Sequence, residues 1–296
     1  MNIVKVATHN GVFHADDVLG AVILKRAGVI EAYSDIVRTR DPKVLALCDI
    51  IFDVGGIYHA EIGRFDHHQK GGKGPDSLCW HTDGYSRSSA GLLWNEFSVH
   101  FVKADVAEEV RKSFIKHIDR VDVGESTVAF DAALTVSHAI SNLNPNWDEE
   151  IQDFDGQFVY ACKMVERMLQ AEIYRAQAKL KAESTVHNAP VNGNILLLDK
   201  FCPWQDWVFT HVEADNILFV VHPTPDHTWM VYQVPKEKGS FAGKKALPEA
   251  WAGLRDQAII DATGVSDAVF CHVGRFCGGA RSKLGAFAMA KQAVLA

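Results

Sequence analysis

Four groups of histidine and aspartate stand out in the first half of a 296-residue chain. The first is Thr8-His9-Asn10-Gly11-Val12-Phe13-His14-Ala15-Asp16-Asp17, directly after the apolar run Ile3–Ala7. The second is Asp53-Val54-Gly55-Gly56, directly after Ile50-Ile51-Phe52; the third is Asp66-His67-His68-Gln69. The fourth is His117-Ile118-Asp119-Arg120-Val121-Asp122. Singly, each has an ordinary structural use: an Asp after a strand forms turns or caps helices, and Asp16 or Asp17 is placed to cap a helix entering at Val18. Together they read differently. Adjacent imidazoles beside a carboxylate are awkward to bury without a cation. Mixed nitrogen and oxygen donors with no thiolate disfavour a structural zinc site and suit Mn2+, with Mg2+ possible. More than five candidate ligands exceed the need of one ion with an open position. Two ions about 3.5–4 Å apart, clamping the attacking and leaving oxygens of a phosphoryl centre, fit the set better.

The elements that must position these groups alternate strand and helix. Ile3–Ala7, Asp35–Arg38 and Ile50–Phe52 read as strands, and Val18–Arg26 as a helix stopped by Gly28. Val106, Val110, Phe114 and Ile118 mark an amphipathic helix over Ala104–Ile118. This alternation predicts βαβ units and a parallel sheet, whose carboxyl edge would gather the four groups into one cleft. From Phe154 to Leu180 apolar residues recur at three and four, one long helix that is either a core helix or a strut between domains. Strands follow at Ile195–Leu198, Ile217–Val221, Trp229–Val234 and Ala268–His272, then a helix over Ser282–Leu295. The expected plan is α/β: a metal-binding domain over 1–150, a helical linker over 151–187, and a smaller α+β domain over 188–296, with the active cleft between the two domains.

Composition bounds the partners. Hydrophobic residues at 48% and charged residues at 23% are those of a folded globular protein, not a disordered or collagenous one. A net charge of −7 excludes a protein that coats DNA by bulk charge, but not a nuclease with a local basic groove. Six cysteines without a Cys-x-x-Cys pair read as reduced core thiols. With no apolar run of membrane-spanning length and no signal sequence, the expectation is a cytoplasmic protein. A nucleophile elbow, a Walker loop and His-Glu-x-x-His are all absent from the sequence.

The order His9…His14-x-Asp16, Asp53, Asp66-His67-His68 and Asp119 resembles that of the DHH phosphoesterases, the superfamily of RecJ-type exonucleases and family II pyrophosphatases. Within it, the first group, Arg38-Thr39-Arg40-Asp41, Asp53-Val54-Gly55-Gly56, Asp66-His67-His68-Gln69, Ser88-Ser89-Ala90-Gly91 and the run Cys271–Lys283 resemble the melanocyte-proliferating-gene family, often labelled metal-dependent protein hydrolase. The resemblance covers essentially the whole chain. It departs at His14-x-Asp16, where most DHH enzymes have Asp-x-Asp, at Asp122-Val123-Gly124, where the branch has Asp-Asn-Gly, and at Gly278-Gly279-Ala280-Arg281, where RecJ-type enzymes have Gly-Gly-His.

The resemblance implies that His9, His14 and Asp53 hold one ion, and Asp16, Asp53, His67 and Asp119 the other, with Asp53 bridging. Asp119 is preferred to Asp122 because it ends the amphipathic helix; the choice stays open. His68 would face the scissile phosphate, and Asp66 would orient an imidazole. In the acid-free tail after Asp267, Arg275, Arg281, Lys283 and Lys291 are cationic, and Gly278-Gly279 ahead of a helix reads as an anion-binding turn. Lys70 and Lys73 either extend that groove or are solvated. The function so read is a phosphoesterase using a two-metal-activated hydroxide, as an exonuclease on RNA or short oligonucleotides, its partner a single-stranded nucleic acid or nucleotide. The alternatives are a small-molecule phosphatase or pyrophosphatase, and a non-catalytic metal-dependent nucleotide-binding module.

Overall fold

The structure is a computed structural model that describes residues 4–71, 74–125, 135–240 and 242–296. The chain divides into two compact units, Met1–Ala176 and Gln177–Ala296. The division falls inside the long helix, not at its ends.

In the first unit the strands are β1 (Val6–Thr8), β2 (Ile36–Arg38), β3 (Ile50–Phe52), β4 (Tyr58–His59) and β5 (Arg64–Phe65), in the order β2-β1-β3-β5-β4. The expected parallel sheet is present: β2, β1, β3 and β5 all run parallel, and only the edge strand β4 is antiparallel. A two-stranded hairpin, β6 (Trp80–His81) with β7 (Tyr85–Ser86), stands apart from it. Sheet pairing on β1 starts at Val6, later than the apolar run suggests.

Helix α1 (Ala15–Arg26) begins three residues earlier than its apolar face predicts, and every residue from Ala15 to Leu24 is buried. A helix apolar on all sides belongs in a core. The short α2 (Pro42–Leu45) is capped by Asp41, and α3 (Ser89–Phe97) packs on α1. The amphipathic helix is interrupted: α4 (Ala104–Val110) passes through a π-helical turn, Arg111–Ile115, into α5 (Lys116–Asp122). Three successive steps of four residues drift by ~120° around an α-helix. The wider π turn absorbs that drift and keeps Val106, Val110, Phe114 and Ile118 all buried. Helix α6 (Val136–Ser141) precedes α7 (Phe154–His187). Phe158, Ala161, Cys162, Val165, Leu169 and Ile173 of α7 are buried in the first unit, whereas Ala182 and Val186 join the core of the second.

The second unit holds β8 (Val191–Asn192), β9 (Ile195–Leu197), β10 (Phe219–Pro223), β11 (Trp229–Gln233), β12 (Ala268–Cys271) and β13 (Cys277–Ala280). They form one sheet in the order β12-β13-β11-β10-β9-β8, with α8 (Asp256–Thr263) and α9 (Lys283–Leu295) among its helices. Ser282 caps α9 by accepting from Gly285 N–H.

The anion-binding turn expected at Gly278-Gly279 is instead buried strand. Gly278 lies between Val231 and Cys271, and Gly279 between Met230 and Phe270. Their backbone groups belong to the sheet, and a Cβ on Gly279 would stand 3.1 Å from the Phe270 ring and 3.2 Å from the Met230 sulfur. The glycines are there for close packing. Gly279→Val should therefore destabilise the protein by about 1–3 kcal/mol through overpacking, read as a lower midpoint in urea denaturation. All six cysteines are free and buried. Among the described residues no helix is long and apolar enough to cross a membrane.

Candidate metal centre

Three of the four groups sit at the carboxyl ends of parallel strands: His9 after β1, Asp53 after β3, and Asp66-His67-His68 after β5. The fourth lies on α5 instead of at the sheet edge. Residues from all four line or back a cleft of about 640 Å3, whose walls include His9, His14, Arg40, Asp53, Asp66, His68 and Asp122.

Asp53 is the pivot. Its φ of +54° places a non-glycine residue in the left-handed region, a strained conformation that turns its carboxylate into the cleft. Oδ2 lies 3.2 Å from His9 Nε2, while Oδ1 lies 3.6 Å from His67 Nδ1 and 3.4 Å from His68 Nδ1. One carboxylate thus faces two sets of imidazoles. His9, His14 and Asp17 bring one ligand atom each within 4.8 Å of one another, as do Asp16, His67 and Asp122, and also Asp53, Asp66, His67 and His68.

The neighbouring aspartates Asp16 and Asp17 have different jobs. Asp16 is fully buried against the N-terminus of α3, where it accepts from Ser89 N–H (3.1 Å), Ala90 N–H (2.6 Å) and the Ser88 hydroxyl, and its Oδ2 is 3.6 Å from His67 Nδ1. Asp17 Oδ1 accepts from His14 N–H at the start of α1, whereas its buried Oδ2 has no hydrogen-bond partner and lies 3.4 Å from His9 Nε2. An orphaned carboxylate oxygen beside an imidazole is what a bound cation would satisfy. The motif order does not single out Asp17 as a ligand; the structure does.

Asp119 and Asp122, one turn apart on α5, also separate. Asp122 Oδ2 lies 3.1 Å from His67 Nε2, on the wall of the cleft. Asp119 is fully buried behind it, accepting from Ser88 N–H (3.2 Å) and lying 2.8 Å from Ser88 Oγ. Gly91 makes room for it: a Cβ there would stand 2.4 Å from Asp119 Oδ2. Asp66 accepts from Gly56 N–H (2.6 Å) and from His68 N–H and pairs with His68 Nδ1 (2.9 Å each), so the exposed His68 ring is held over the cleft. Ser88 and Ser89 had no role assigned from sequence. Ser89 Oγ shares a hydrogen bond with His67 Nδ1 (3.0 Å) and lies 3.3 Å from Asp53 Oδ1.

The electrostatics are those of an anionic site. Burial, then repulsion from Asp16 and Asp17, pushes the Asp53 carboxyl well above its ordinary range. Burial likewise raises Asp16, with Asp122 adding repulsion, and lifts Asp17 to about 8. Burial also drives His9 down to about 4, leaving it neutral and able to ligate. Burial alone would raise Asp66, but its hydrogen bonds from His68 and Gly56 prevail and hold it low. Burial works to lower His67, but its hydrogen bond to Asp122 and the charges of Asp16, Asp122 and Asp66 together outweigh this and raise it. A divalent ion would displace these protons and neutralise the carboxylates, so the residues present fit one.

The expected substrate residues of the second unit are spread. Arg275 sits in the β12–β13 loop with φ +58°, its backbone N–H bonded to His272 O (2.8 Å). Arg281 is exposed just after β13, and Lys283 pairs with Asp199 and lies over the Trp229 ring. In the first unit Lys70 is exposed, and Lys73 falls outside the described residues.

Comparison with known proteins agrees with the motif reading. The family model MYG1_exonuc, described as "Uncharacterised protein family (UPF0160)", matches residues 5–294. "MYG1 exonuclease" of Rattus norvegicus is 34% identical over 97% of this chain and 84% of its own length. "MYG1 exonuclease" of Homo sapiens is 33% identical over 97% and 85%, and "MYG1 protein C694.04c" of Schizosaccharomyces pombe 31% over 99% and 98%. The crystal structure of RecJ in complex with Mn2+ from Thermus thermophilus covers 99% of this chain and 52% of that one at 15% identity and a TM-score of 0.31, too slight a likeness to build on. With a family match that runs almost end to end and relatives of this similarity over nearly the whole chain, the chain belongs to the MYG1 family.

Proposed function

We propose that this protein is a divalent-metal-dependent hydrolase of phosphodiester bonds, acting as an exonuclease on RNA or short single-stranded oligonucleotides. The observation that carries the reading is Asp53, whose two oxygens are directed to His9 on one side and to His67 and His68 on the other. That is the disposition of a carboxylate shared by two ions. The exonuclease names of the mammalian relatives support the substrate class.

His9, His14, Asp17 and Asp53 would hold one ion, and Asp16, Asp53, His67 and Asp122 the other. The ions would supply Lewis acidity at phosphorus and a nucleophile at neutral pH. His68, held by Asp66, is the exposed donor that would stabilise negative charge developing on the phosphate. Ser88 and Ser89 fix Asp16, Asp53 and His67 from behind. Arg281, an exposed cation in the second unit, would grip a substrate phosphate. Arg281→Ala should then raise KM roughly tenfold to a hundredfold at saturating metal.

The decisive test is an activity panel with Mn2+ on an oligoribonucleotide, an oligodeoxynucleotide, a dinucleotide and pyrophosphate. Stepwise release of mononucleotides from the oligoribonucleotide is expected. Cleavage of pyrophosphate alone would make the protein a pyrophosphatase, and nucleotide binding without turnover a non-catalytic module. Activity with Mn2+ should at least equal that with Mg2+, because three of the ligands are imidazoles and Mg2+ favours all-oxygen shells. A strict Mg2+ requirement would speak against His9, His14 and His67 as ligands together.

A further inference from the structure

One cation of the cleft has no place in that chemistry. Arg40 follows β2, so it emerges at the same carboxyl edge as His9 and Asp53. Its backbone is pinned on both sides. Thr39 N–H donates to Thr8 O (2.8 Å), Thr39 Oγ1 accepts from Asp41 N–H (3.1 Å), and Asp41 caps α2 through Lys43 N–H (2.8 Å). The Arg40 Nη1 group donates to the backbone carbonyl of Asn10 and to its Oδ1 (3.1 Å), which ties the guanidinium beside His9. Its other N–H groups have no protein acceptor, and its charge no carboxylate within pairing distance, among the described residues. Arg40 is exposed, so those groups face solvent in a cleft that Asp53, Asp66 and Asp122 also line.

A guanidinium fixed at one corner, with its remaining donors free and its charge unpaired, is a built receptor for an oxyanion. It stands beside His9, on the side of Asp53 away from His67 and Asp122. On α6, Ser137 and Ser141 line the same cleft one helical turn apart and add two hydroxyls. No aromatic ring other than His9, His14 and His68 lines it among the described residues, so the cleft offers no Trp, Tyr or Phe platform for a base.

We propose that Arg40, with Ser137 and Ser141, binds a second phosphate of the substrate, next to the phosphodiester that is cut. This rests on the phosphodiesterase reading above and extends it. The enzyme selects substrates by a neighbouring or terminal phosphate and not by base identity, and a dinucleotide bearing an end phosphate is a better substrate than one without.

The experiment compares diadenylate carrying a 5′-phosphate, a 3′-phosphate or neither, in Mn2+, with wild-type protein, Arg40→Gln and Arg40→Lys. Calorimetric binding of the same three compounds with a non-hydrolysable methylenephosphonate link gives a readout independent of turnover. The wild type should prefer one end-phosphorylated form in kcat/KM and in affinity by roughly tenfold to a hundredfold. The form preferred identifies which side of the scissile bond Arg40 reads. Arg40→Gln should bring that ratio to about one while Mn2+ affinity holds within about twofold, and Arg40→Lys should restore part of it. Hydrolysis with no preference in the wild type, or a preference that survives Arg40→Gln, would overturn the proposal and leave the phosphodiesterase reading standing. Absence of hydrolysis on all three would sink that reading instead. The linked analogues then decide for Arg40 by themselves: equal binding by wild type and Arg40→Gln would overturn its role, and a loss confined to the end-phosphorylated analogue would sustain it.

Discussion

Asp53→Asn should abolish metal-dependent turnover and at the same time make the metal-free protein more stable at pH 8. Asn is the right replacement because residue 53 has φ +54°, a conformation that Asn tolerates and most side chains do not. It also keeps the shape of the carboxylate while removing its charge. The loss of function follows from position: one carboxylate facing His9 and His67 cannot be deleted for one ion only. Transition-state charge stabilisation of about 4 kcal/mol is at stake, roughly a thousandfold in rate.

The gain in stability follows from linkage. Folding raises the Asp53 carboxyl, first through burial and then through Asp16 and Asp17, so the unfolded chain releases its proton at a lower pH than the folded one. Stability from such a group is complete below the unfolded value near 4 and is lost as pH rises through the folded value. Asp17, lifted to about 8, behaves in the same way across the window from about 4 to about 8. His9 acts with the opposite sign and only in acid, since its folded value near 4 costs stability as pH falls below its ordinary 6.5. Melting curves of metal-free wild type and Asp53→Asn should therefore diverge between pH 6 and pH 8, with the variant higher. Mn2+ should close the gap by stabilising the wild type alone. Retained turnover with full metal occupancy in the variant would remove Asp53 from the centre.

The sheet was legible because a parallel α/β core writes its strands as apolar runs and its site at their carboxyl ends. Ile50–Phe52 followed by Asp53 is the clearest instance, and its strand has the expected bounds. The long helix was equally plain, although its last turn, from Ser184 to His187, carries too few apolar residues to extend the pattern. What sequence could not show was decided by neighbours distant in the chain. Gly278-Gly279 reads locally as punctuation, yet Phe270, Met230 and Leu247 from other segments occupy the space that side chains would need. Asp17 looks like a cap, and Oδ1 does cap; only the approach of His9 gives Oδ2 a second use. On α5 the spacing of Asp119 and Asp122 puts both on neighbouring positions of one face, so periodicity has no means of ranking them. Contact with Ser88, just ahead of α3, and the room left by Gly91 on α3 take Asp119 out of the cleft.

Those two aspartates give the sharpest test of the centre. Ser88 Oγ lies against both Asp16 Oδ1 and Asp119 Oδ1, and one hydroxyl proton serves one carboxylate at a time. The second contact is satisfied if Asp119 carries its own proton and donates it to Ser88. Burial does raise Asp119 well above the ordinary carboxyl range, in spite of its hydrogen bonds from Ser88. An amide is likewise neutral, and its Oδ1 still accepts from Ser88 N–H, since both Ser88 contacts fall on Asp119 Oδ1; its Nδ2 takes the place of the buried Oδ2, which has no hydrogen-bond partner. Asp119→Asn should therefore leave Mn2+ affinity within about threefold of wild type, while the buried amide NH2 without a partner costs about 1–3 kcal/mol in stability. Asp122→Asn removes an oxygen 3.1 Å from His67 Nε2 on the open wall of the cleft. It should weaken Mn2+ binding at the Asp16–His67 side by at least about a hundredfold, since even residues that only orient ligands are worth 10–100-fold. Calorimetric Mn2+ titration of the two variants reads the difference directly. If Asp119→Asn loses the ion and Asp122→Asn keeps it, the metal lies deeper than the cleft wall, with Asp119 as its ligand and Ser88 displaced.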